Sequence, residues 1–353
     1  MPDRSKRLPR SLALTFLFAL LCPPGHAQER FRNPVDVVAT NTFQVTVGKE
    51  QGLLPFYANR SLDFVNPDVT RAVIVIHGRL RNAGTYFLSA LAALQASGDE
   101  GLRTLLIAPQ FLAEIDGGKR PLPQATLRWP IDGWQSGEDA LSPAPVSSFE
   151  AIDALLERLS NQALFPALRT VVIVGHLAGG QMVQRYAMLG RGERDLIQRG
   201  VHLRYVVANS SSYAYFDSLR PDGEGRFNPF PAASCPTFNE WPYGTDHLPR
   251  YAAETATGSV EQHYIQRDVV YLLGTEDTDP NQVWLDRSCM GEAEGPTRLA
   301  RGNDYFAYLK MRHPTGPMHR VVHVPGVGHN GDRMLTSECG MLVLFDRPGC
   351  GSS

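Results

Sequence analysis

Two residues late in the chain carry side chains that together can move a proton. Asp277 lies three residues after Gly274, and His329 directly follows Gly328. A carboxylate that accepts a hydrogen bond from an imidazole fixes the ring tautomer and stabilises the imidazolium formed when the other nitrogen takes a proton. Such a pair acts as a general base towards a hydroxyl group or a water molecule.

A second chemical signal is the segment GHLAGG at residues 175–180. Its small residues permit a sharp turn from a strand into a helix. The N–H of Ala178 would then start the helix, where an unpaired donor and the helix dipole favour a developing oxyanion. The N–H of Arg79 or Leu80, after an earlier apolar run, is the expected second donor. The central residue is Leu177, whose side chain has no lone pair and cannot form an acyl intermediate.

The elements that must position these residues alternate along the chain. Short apolar runs rich in β-branched residues predict strands buried on both faces, at residues 71–76, 103–108, 170–174, 203–208, 269–273 and 320–324. Helical spacing covers residues 82–95, 148–160 and 179–189, and two edge strands are predicted at residues 35–39 and 43–47. The alternation predicts an α/β fold with a mostly parallel sheet flanked by helices on both faces. Active sites of such sheets lie outside the carboxyl ends of the strands.

In this order the segments resemble the α/β-hydrolase superfamily, over roughly residues 35–344. The turn at His77-Gly78 is similar to the superfamily's oxyanion turn, GHLAGG to its nucleophile elbow, and the two late loops to those of its acid and histidine. The resemblance implies an esterase-like or lipase-like scaffold with Asp277 as acid and His329 as base. It implies an oxyanion hole at Arg79, Leu80 and Ala178, and no cofactor.

The chain departs from the superfamily at Leu177, where the G-x-S-x-G pattern has the nucleophilic serine. Acyl transfer is therefore expected to be absent or very weak. A natural loss, a variant within an active lineage and deliberate inactivation all remain open as origins of the leucine. The alternative function is a non-catalytic exported binding protein for a small apolar or aromatic ligand.

Other residues compete for the same roles. Asp279 is the rival of Asp277, which is preferred because Gly-x-x-Asp is the spacing usual in the superfamily. One of the serines 210–212 could serve as a nucleophile, although we prefer the interpretation that they turn the chain. Residues 326–331 match G-x-G-x-x-G, but the chain ends too soon for a dinucleotide-binding unit. Residues 277–288 lack the glycine and the glutamate of a calcium loop.

Residues 209–267 interrupt the alternation with a segment rich in Pro, Gly and aromatic residues. A structureless loop of that length would be unusual, so we predict a cap-like insertion in a single domain spanning residues 28–353. Trp134, Trp241 and Tyr243 are the expected substrate-binding residues, in an aromatic wall around a small ester or apolar ligand. The other interpretation is that the aromatic residues form the cap's own core.

The start of the chain and its cysteines indicate export. Residues 1–27 combine a basic start, an apolar stretch and small residues before a cleavage point, as a signal peptide does. Four cysteines then remain, with no CxxC, so disulfides are predicted rather than a metal site. Of three pairings, Cys235–Cys289 and Cys339–Cys350 are favoured because each closes a modest loop. An excess of Arg over Lys, with abundant Ala, Gly and Pro, indicates a bacterial periplasmic or secreted protein.

The charge and the hydropathy of the 353-residue chain exclude two classes of partner. The formal net charge is -2, which argues against a nucleic-acid binder. Removing residues 1–27 takes away four basic residues and one acid, which brings the charge from -2 to -5 and argues against a highly anionic substrate. No apolar run reaches the length needed to span a membrane.

Overall fold

The computed structural model describes residues 30–118, 121–253, 257–316 and 319–350. The predicted signal peptide at residues 1–27 lies outside this part of the chain. Among the described residues, no helix has both the length and the apolar character needed to cross a membrane.

An eight-stranded sheet forms the centre of the protein. The strands of the chain are β1 (Asn41–Val47), β2 (Glu50–Ala58), β3 (Arg71–Ile76), β4 (Thr104–Pro109), β5 (Leu112–Ala113), β6 (Arg128–Trp129), β7 (Thr170–His176), β8 (His202–Ala208), β9 (Leu219–Pro221), β10 (Phe227–Pro229), β11 (Asp268–Gly274) and β12 (Arg320–Val324). The sheet has the order β1-β2-β4-β3-β7-β8-β11-β12. β2 pairs antiparallel with its two neighbours, β1 and β4. In the rest of this sheet, from β4 through β3, β7, β8 and β11 to β12, every pairing is parallel.

Helices cover both faces of this sheet. They are α1 (Ala83–Ala96), α2 (Asp99–Leu102), α3 (Ser148–Ser160), α4 (Ala178–Leu189), α5 (Arg194–Gln198), α6 (Thr257–Ile265), α7 (Cys289–Glu292), α8 (Arg298–Arg312), α9 (Gly331–Thr336) and α10 (Glu338–Phe345). α3, α4, α6 and α8 share one buried cluster with Ile74 and Ile76, and α1, α9 and α10 share another with Val73 and Val75. Alternate residues of a strand point to opposite faces, so β3 contributes to both cores. The predicted α/β fold class is confirmed.

Two features of the amino-terminal region differ from the prediction. Residues 35–39 do not form the expected edge strand, because side chains rather than a neighbouring strand hold their backbone. The N–H of Val35 donates to Asp116 over 2.8 Å, and the N–H of Ala39 donates to Gln110 over 2.9 Å. The edge of the sheet is instead a hairpin in which β1 pairs with β2, a strand that the sequence analysis did not identify.

A buried ion pair holds this amino-terminal segment against the sheet. The side chains of Arg81 and Asp116 are both fully enclosed, with 2.7 Å between guanidinium and carboxylate. Arg81 also donates to the carbonyl groups of Phe31 and Asn33. The loop after β3 and the chain's first described residues are therefore fastened together.

Both favoured disulfides are confirmed. Cys235 bonds to Cys289, 54 residues further on, and Cys339 bonds to Cys350, 11 residues further on. The first bond joins the segment between β8 and β11 to the start of α7. That segment contains the small hairpin of β9 and β10 and the helix α6.

Removing the Cys235–Cys289 bond should cost more stability than removing the Cys339–Cys350 bond. The chain-entropy model gives a loss of about 4 kcal/mol in the free energy of unfolding for the longer loop and about 3 kcal/mol for the shorter. The Cys235→Ser/Cys289→Ser and Cys339→Ser/Cys350→Ser double variants, unfolded in urea, provide the comparison. A larger loss in the second variant would contradict the expected order.

Candidate active site

The chain makes a strained turn where β7 passes into α4. Leu177, at the centre, has φ 57° and ψ -118°, a conformation that costs a residue with a Cβ about 1–3 kcal/mol. The following helix packs tightly against the end of β3. A Cβ on Gly179 would lie 2.4 Å from the carbonyl oxygen of Ile76, so only glycine permits this approach. The strand-turn-helix predicted from GHLAGG is present.

Two clefts meet at Leu177. The smaller, about 370 Å³, is lined by Leu177, His329 and residues 78–80. The larger, about 700 Å³, is lined by Leu177, Ala178 and residues of the loops after β6 and β11. The Leu177 side chain therefore occupies the junction, with 9% of the residue exposed. At this position the turn directs the side chain of residue 177 into the clefts, and that side chain is the hydrocarbon of a leucine.

Asp277 and His329 form the predicted pair. The Nδ1–H of His329 donates to Oδ2 of Asp277 over 3.0 Å, which leaves Nε2 as the ring nitrogen that can accept a proton. Asp279 is exposed and accepts a hydrogen bond from the N–H of Asn281 over 2.8 Å. The structure thus brings Asp277, and not Asp279, to the histidine.

Arg298, which the sequence analysis missed, holds the second oxygen of the acid. Its guanidinium donates to Oδ1 of Asp277 over 3.3 Å, to the hydroxyl of Ser211 over 2.9 Å and to the side-chain oxygen of Gln282 over 2.9 Å. The side chain is fully buried at the start of α8, and burial lowers its pKa to about 10. No motif marks this arginine, because its partners come together only through the fold.

Burial and a nearby cation weaken the basicity of His329. Desolvation lowers its pKa below the ordinary value of 6.5; the charge of Arg298 acts in the same direction, and the hydrogen bond to Asp277 opposes both. The ring of His176 lies beside it, with 4.9 Å between ring centroids. His176 is buried and its pKa is lowered well below 6.5, first by desolvation and then by the charge of His329. It is a neutral neighbour, in accord with a shaping role.

Asn209, immediately after β8, ties the two late loops together. Its side-chain oxygen accepts from the N–H of Gly274 over 2.8 Å, and its amide donates to the carbonyl of Gly328 over 3.1 Å. These contacts fix the end of β11, which leads to Asp277, against the loop that carries His329. Asn209 is fully buried and has φ 41°, a conformation that Asn tolerates better than most residues.

The predicted oxyanion residues lie around Leu177. Ala178 is the first residue of α4, so its N–H has no acceptor within the helix. Arg79 and Leu80 line the smaller cleft. The turn before them is held by His77, whose Nδ1–H donates to the carbonyl of Gly78 and whose Nε2 accepts from the N–H of Phe111, both over 2.9 Å. Burial lowers the pKa of His77 to about 4, so it supports the turn as a neutral ring.

The serines after β8 are engaged in holding the chain. The hydroxyl of Ser210 donates to the carbonyl of Ser212 over 2.7 Å. Ser211 accepts from Arg298, and Ser212 accepts from Gln181 over 2.5 Å and from Arg185 over 3.0 Å. All three serines are buried. These contacts favour the interpretation that they turn the chain.

The three aromatic residues expected at the substrate lie in different surroundings. Trp134 is fully buried, with its ring 4.5 Å from that of His77 and 5.8 Å from that of Phe111. Trp241 is half-buried and donates to the carbonyl of Ser136 over 2.7 Å. Tyr243 lines the larger cleft and donates to Asp286 over 2.5 Å. Trp134 therefore supports the site from beneath, because its enclosed ring belongs to the lining of neither cleft.

The larger cleft is more polar than the expected aromatic wall. Its lining includes the charged side chains of Arg79, Asp132, Glu138, Arg185, Asp286 and Arg287. Arg79 and Asp132 form a bidentate ion pair, with 2.8 Å from Nε to Oδ1 and 2.7 Å from Nη2 to Oδ2. Across the described ranges, no group of three or more His, Cys, Asp or Glu residues could hold a metal ion.

Comparison with known proteins identifies the fold. No family model and no curated protein sequence matches the chain. It is similar to the solved structure of the poly(3-hydroxybutyrate) depolymerase LpqC from Bordetella parapertussis, with 20% identity and a TM-score of 0.59 over 87% of this chain and 90% of that one. It is also similar to poly(aspartic acid) hydrolase-1 from Sphingomonas sp. KT-1, with 22% identity and a TM-score of 0.55 over 86% and 96% of the two chains. The protein has the α/β-hydrolase fold, as its sequence predicted.

Replacing Arg298 with methionine should raise the pKa of His329. The lost guanidinium charge no longer opposes the imidazolium, while Asp277 still favours it. An NMR titration of the His329 ring measures the change. The free energy of unfolding should fall by about 3–5 kcal/mol, because Asp277 keeps its burial and loses a partner.

Asp279→Asn is the matched control, since it changes a carboxylate two residues away that does not contact the ring. Its His329 titration should overlay that of the unmodified protein. An unchanged pKa in Arg298→Met would refute the electrostatic role of the arginine.

Proposed function

We propose that this chain is an exported protein of carboxylic-ester hydrolase ancestry in which Leu177 stands in place of the nucleophilic serine. Asp277 and His329 are its acid and base, and the N–H groups of Ala178 and of Arg79 or Leu80 form its oxyanion hole. The observation that carries the proposal is the conformation of Leu177, at φ 57°. It lies in the same cleft as a histidine whose tautomer a buried carboxylate fixes.

The energetic argument favours ancestry in an active enzyme. A leucine gains nothing chemically from the strained turn, which an α/β-hydrolase uses to raise its serine out of the sheet. The strain nevertheless persists, because the close packing of Gly179 against β3 determines the path of the chain. A geometry suited to a nucleophile has remained after the nucleophile was replaced.

The same residue prevents acyl transfer. A hydrocarbon side chain cannot attack a carbonyl carbon or release a proton to His329. What remains is binding and polarisation of an ester at the oxyanion donors. In serine hydrolases stripped of their triad, these effects sustain catalysis of only about 10³–10⁴-fold over water.

The second candidate function is binding without catalysis. The larger cleft, about 700 Å³, stays open beside Leu177 and falls within the roughly 300–1,000 Å³ range of small-molecule sites. A small ester or related ligand could therefore occupy the cleft without being cleaved. No cofactor is needed for either function. The two disulfides and the predicted signal peptide support export.

The Leu177→Ser variant should hydrolyse a short-chain p-nitrophenyl ester, while the unmodified protein stays near background. In the variant, the serine Oγ attacks the carbonyl carbon while Nε2 of His329 takes its proton, and p-nitrophenolate leaves as the acyl-serine forms. Water, giving a proton to the same nitrogen, then attacks the acyl-serine, and the proton returns to the serine as the acid is released. We expect kcat/KM to rise by about 10²–10⁴-fold, the amount a positioned general base contributes. Release of p-nitrophenolate, followed by its absorbance, is the measurement.

Leu177→Ala is the matched control and should gain nothing. The Leu177→Ser/His329→Ala double variant should lose the gain. A fluorophosphonate should label Leu177→Ser and ignore the unmodified protein. If Leu177→Ser folds and binds esters but remains inactive, the proposal of an intact ester-hydrolase site is wrong.

The pH profile of Leu177→Ser should have its acid limb below pH 6.5. His329 must be neutral to accept the proton, and its pKa is lowered in the fold. Activity is therefore retained as the pH falls through 6.5 and is lost only below it. An inflection of kcat/KM above pH 6.5 would contradict this assignment of the base.

A further inference from the structure

One face of α4 forms a floor that begins at the site of the missing nucleophile. Leu177, Ala178, Gln181 and Arg185 all line the larger cleft. Residues spaced three or four apart lie on the same side of a helix. The floor therefore runs from the expected reacting position towards Arg185.

Arg185 is a buried cation without a carboxylate partner among the described residues. Only 1% of the residue is exposed. Its guanidinium donates to the carbonyl of Pro242 over 3.2 Å, the carbonyl of Gln135 over 3.3 Å and the hydroxyl of Ser212 over 3.0 Å. Burial is the main cause of its lowered pKa. The charges of Tyr243, Glu294, Asp286 and Asp132 oppose this lowering from a distance. Burying a charge is costly unless it is paired, and no carboxylate of the described residues makes a contact ion pair with this arginine.

Other buried arginines show the contrast. Arg81 pairs with Asp116, Arg267 with Glu193 and Arg298 with Asp277. Arg220 and Arg301 also donate to neutral oxygens, but neither belongs to the lining of the larger cleft. Arg185 combines a buried charge, neutral partners and a position in the cleft wall.

Four of the five other charged side chains of the cleft have hydrogen-bond partners in its walls. Arg79 neutralises Asp132. Asp286 accepts from the hydroxyl of Tyr243 and, over 2.9 Å, from the N–H of Ser288. Glu138 accepts weakly from Ser136 over 3.4 Å, and Arg287 is exposed. An anionic group beside Arg185 would supply the contact ion pair that the residues of the wall do not form with it.

The helix geometry sets the distance from that anion to the reacting position. Ser212 accepts from both Gln181 and Arg185, so the guanidinium reaches back to the level of Gln181, as side chains on a helix do. Gln181 is four residues beyond Leu177, which is about 6 Å along the helix axis.

We propose that the larger cleft binds a carboxylate of its ligand at Arg185. The corresponding substrate class is a monoanionic ester with its carboxylate about 6 Å from the scissile carbonyl. The anion site is argued only from the contacts of the cleft. The substrate class also rests on the proposed function. Guanidinium groups recognise carboxylates through paired, charge-assisted hydrogen bonds.

Binding to the unmodified protein tests the anion site without any turnover. Titration calorimetry with monomethyl adipate and with dimethyl adipate compares an anion with its neutral counterpart. We expect the anion to bind at least about tenfold tighter, the ratio given by a net gain of about 1.4 kcal/mol. Equal affinities, or no binding of either compound, would overturn the proposal.

Variants of the arginine separate recognition from folding. Arg185→Met should abolish the preference, and Arg185→Lys, which keeps the charge but loses the planar fork, should retain part of it. Arg267→Met, which removes a buried arginine outside the cleft wall, should keep the full preference. A preference that survives in folded Arg185→Met, or that is absent from folded Arg185→Lys, would refute the role of Arg185.

Turnover by Leu177→Ser then tests the substrate class. Mono-4-nitrophenyl adipate should be cleaved with a kcat/KM at least about tenfold higher than its methyl-capped diester, mainly through a lower KM. If neither ester is cleaved while the unmodified protein still prefers the anion, the proposed function fails and the anion site stands. If both are cleaved equally, the substrate class is wrong although the hydrolase site is intact.

Discussion

The close approach of α4 to the end of β3 is the constraint on which the site depends. Gly179 lies so near the carbonyl of Ile76 that no side chain fits between them. The chain can meet this approach only by turning sharply at residue 177, at a positive φ. That turn places Ala178 at the first position of α4 and sets the direction of the helix. The face of α4 then becomes the cleft floor that ends at Arg185.

Buried polar contacts place the second half of the site. Asp277 lies between His329 and Arg298, and Asn209 connects the two loops on which the acid and the histidine sit. A buried ion pair of this kind contributes little net stability, because desolvation offsets the attraction. Its effect is positional, because the hydrogen bonds hold the carboxylate between the imidazole and the guanidinium. The arrangement does not involve residue 177, so it does not depend on the side chain at that position.

The two clefts meet at Leu177, and the binding and reacting parts that we propose for them are separable. Residue 177 carries a hydrocarbon side chain, and the Asp277–His329 pair, the start of α4 and the polar cleft lie around it. The comparisons establish the α/β-hydrolase fold, and the proposed chemistry follows from the side chains of this chain. A charged cleft wall with an unpaired buried arginine favours a polar ligand over the apolar one expected from the aromatic residues.

The sequence by itself determined the α/β class, the order of the site segments and the departure at Leu177. Those signals are local: buried strands are continuous apolar runs, and a sharp turn needs small residues beside it. It also favoured the disulfide pairing that forms. The role of Arg298, the cross-link made by Asn209 and the enclosure of Trp134 were decided only by the tertiary structure, since each depends on partners distant along the chain. The prediction of a strand at residues 35–39 was wrong for the same reason. Asp116 and Gln110 accept hydrogen bonds from the backbone of this segment, and no local sequence pattern indicates those contacts.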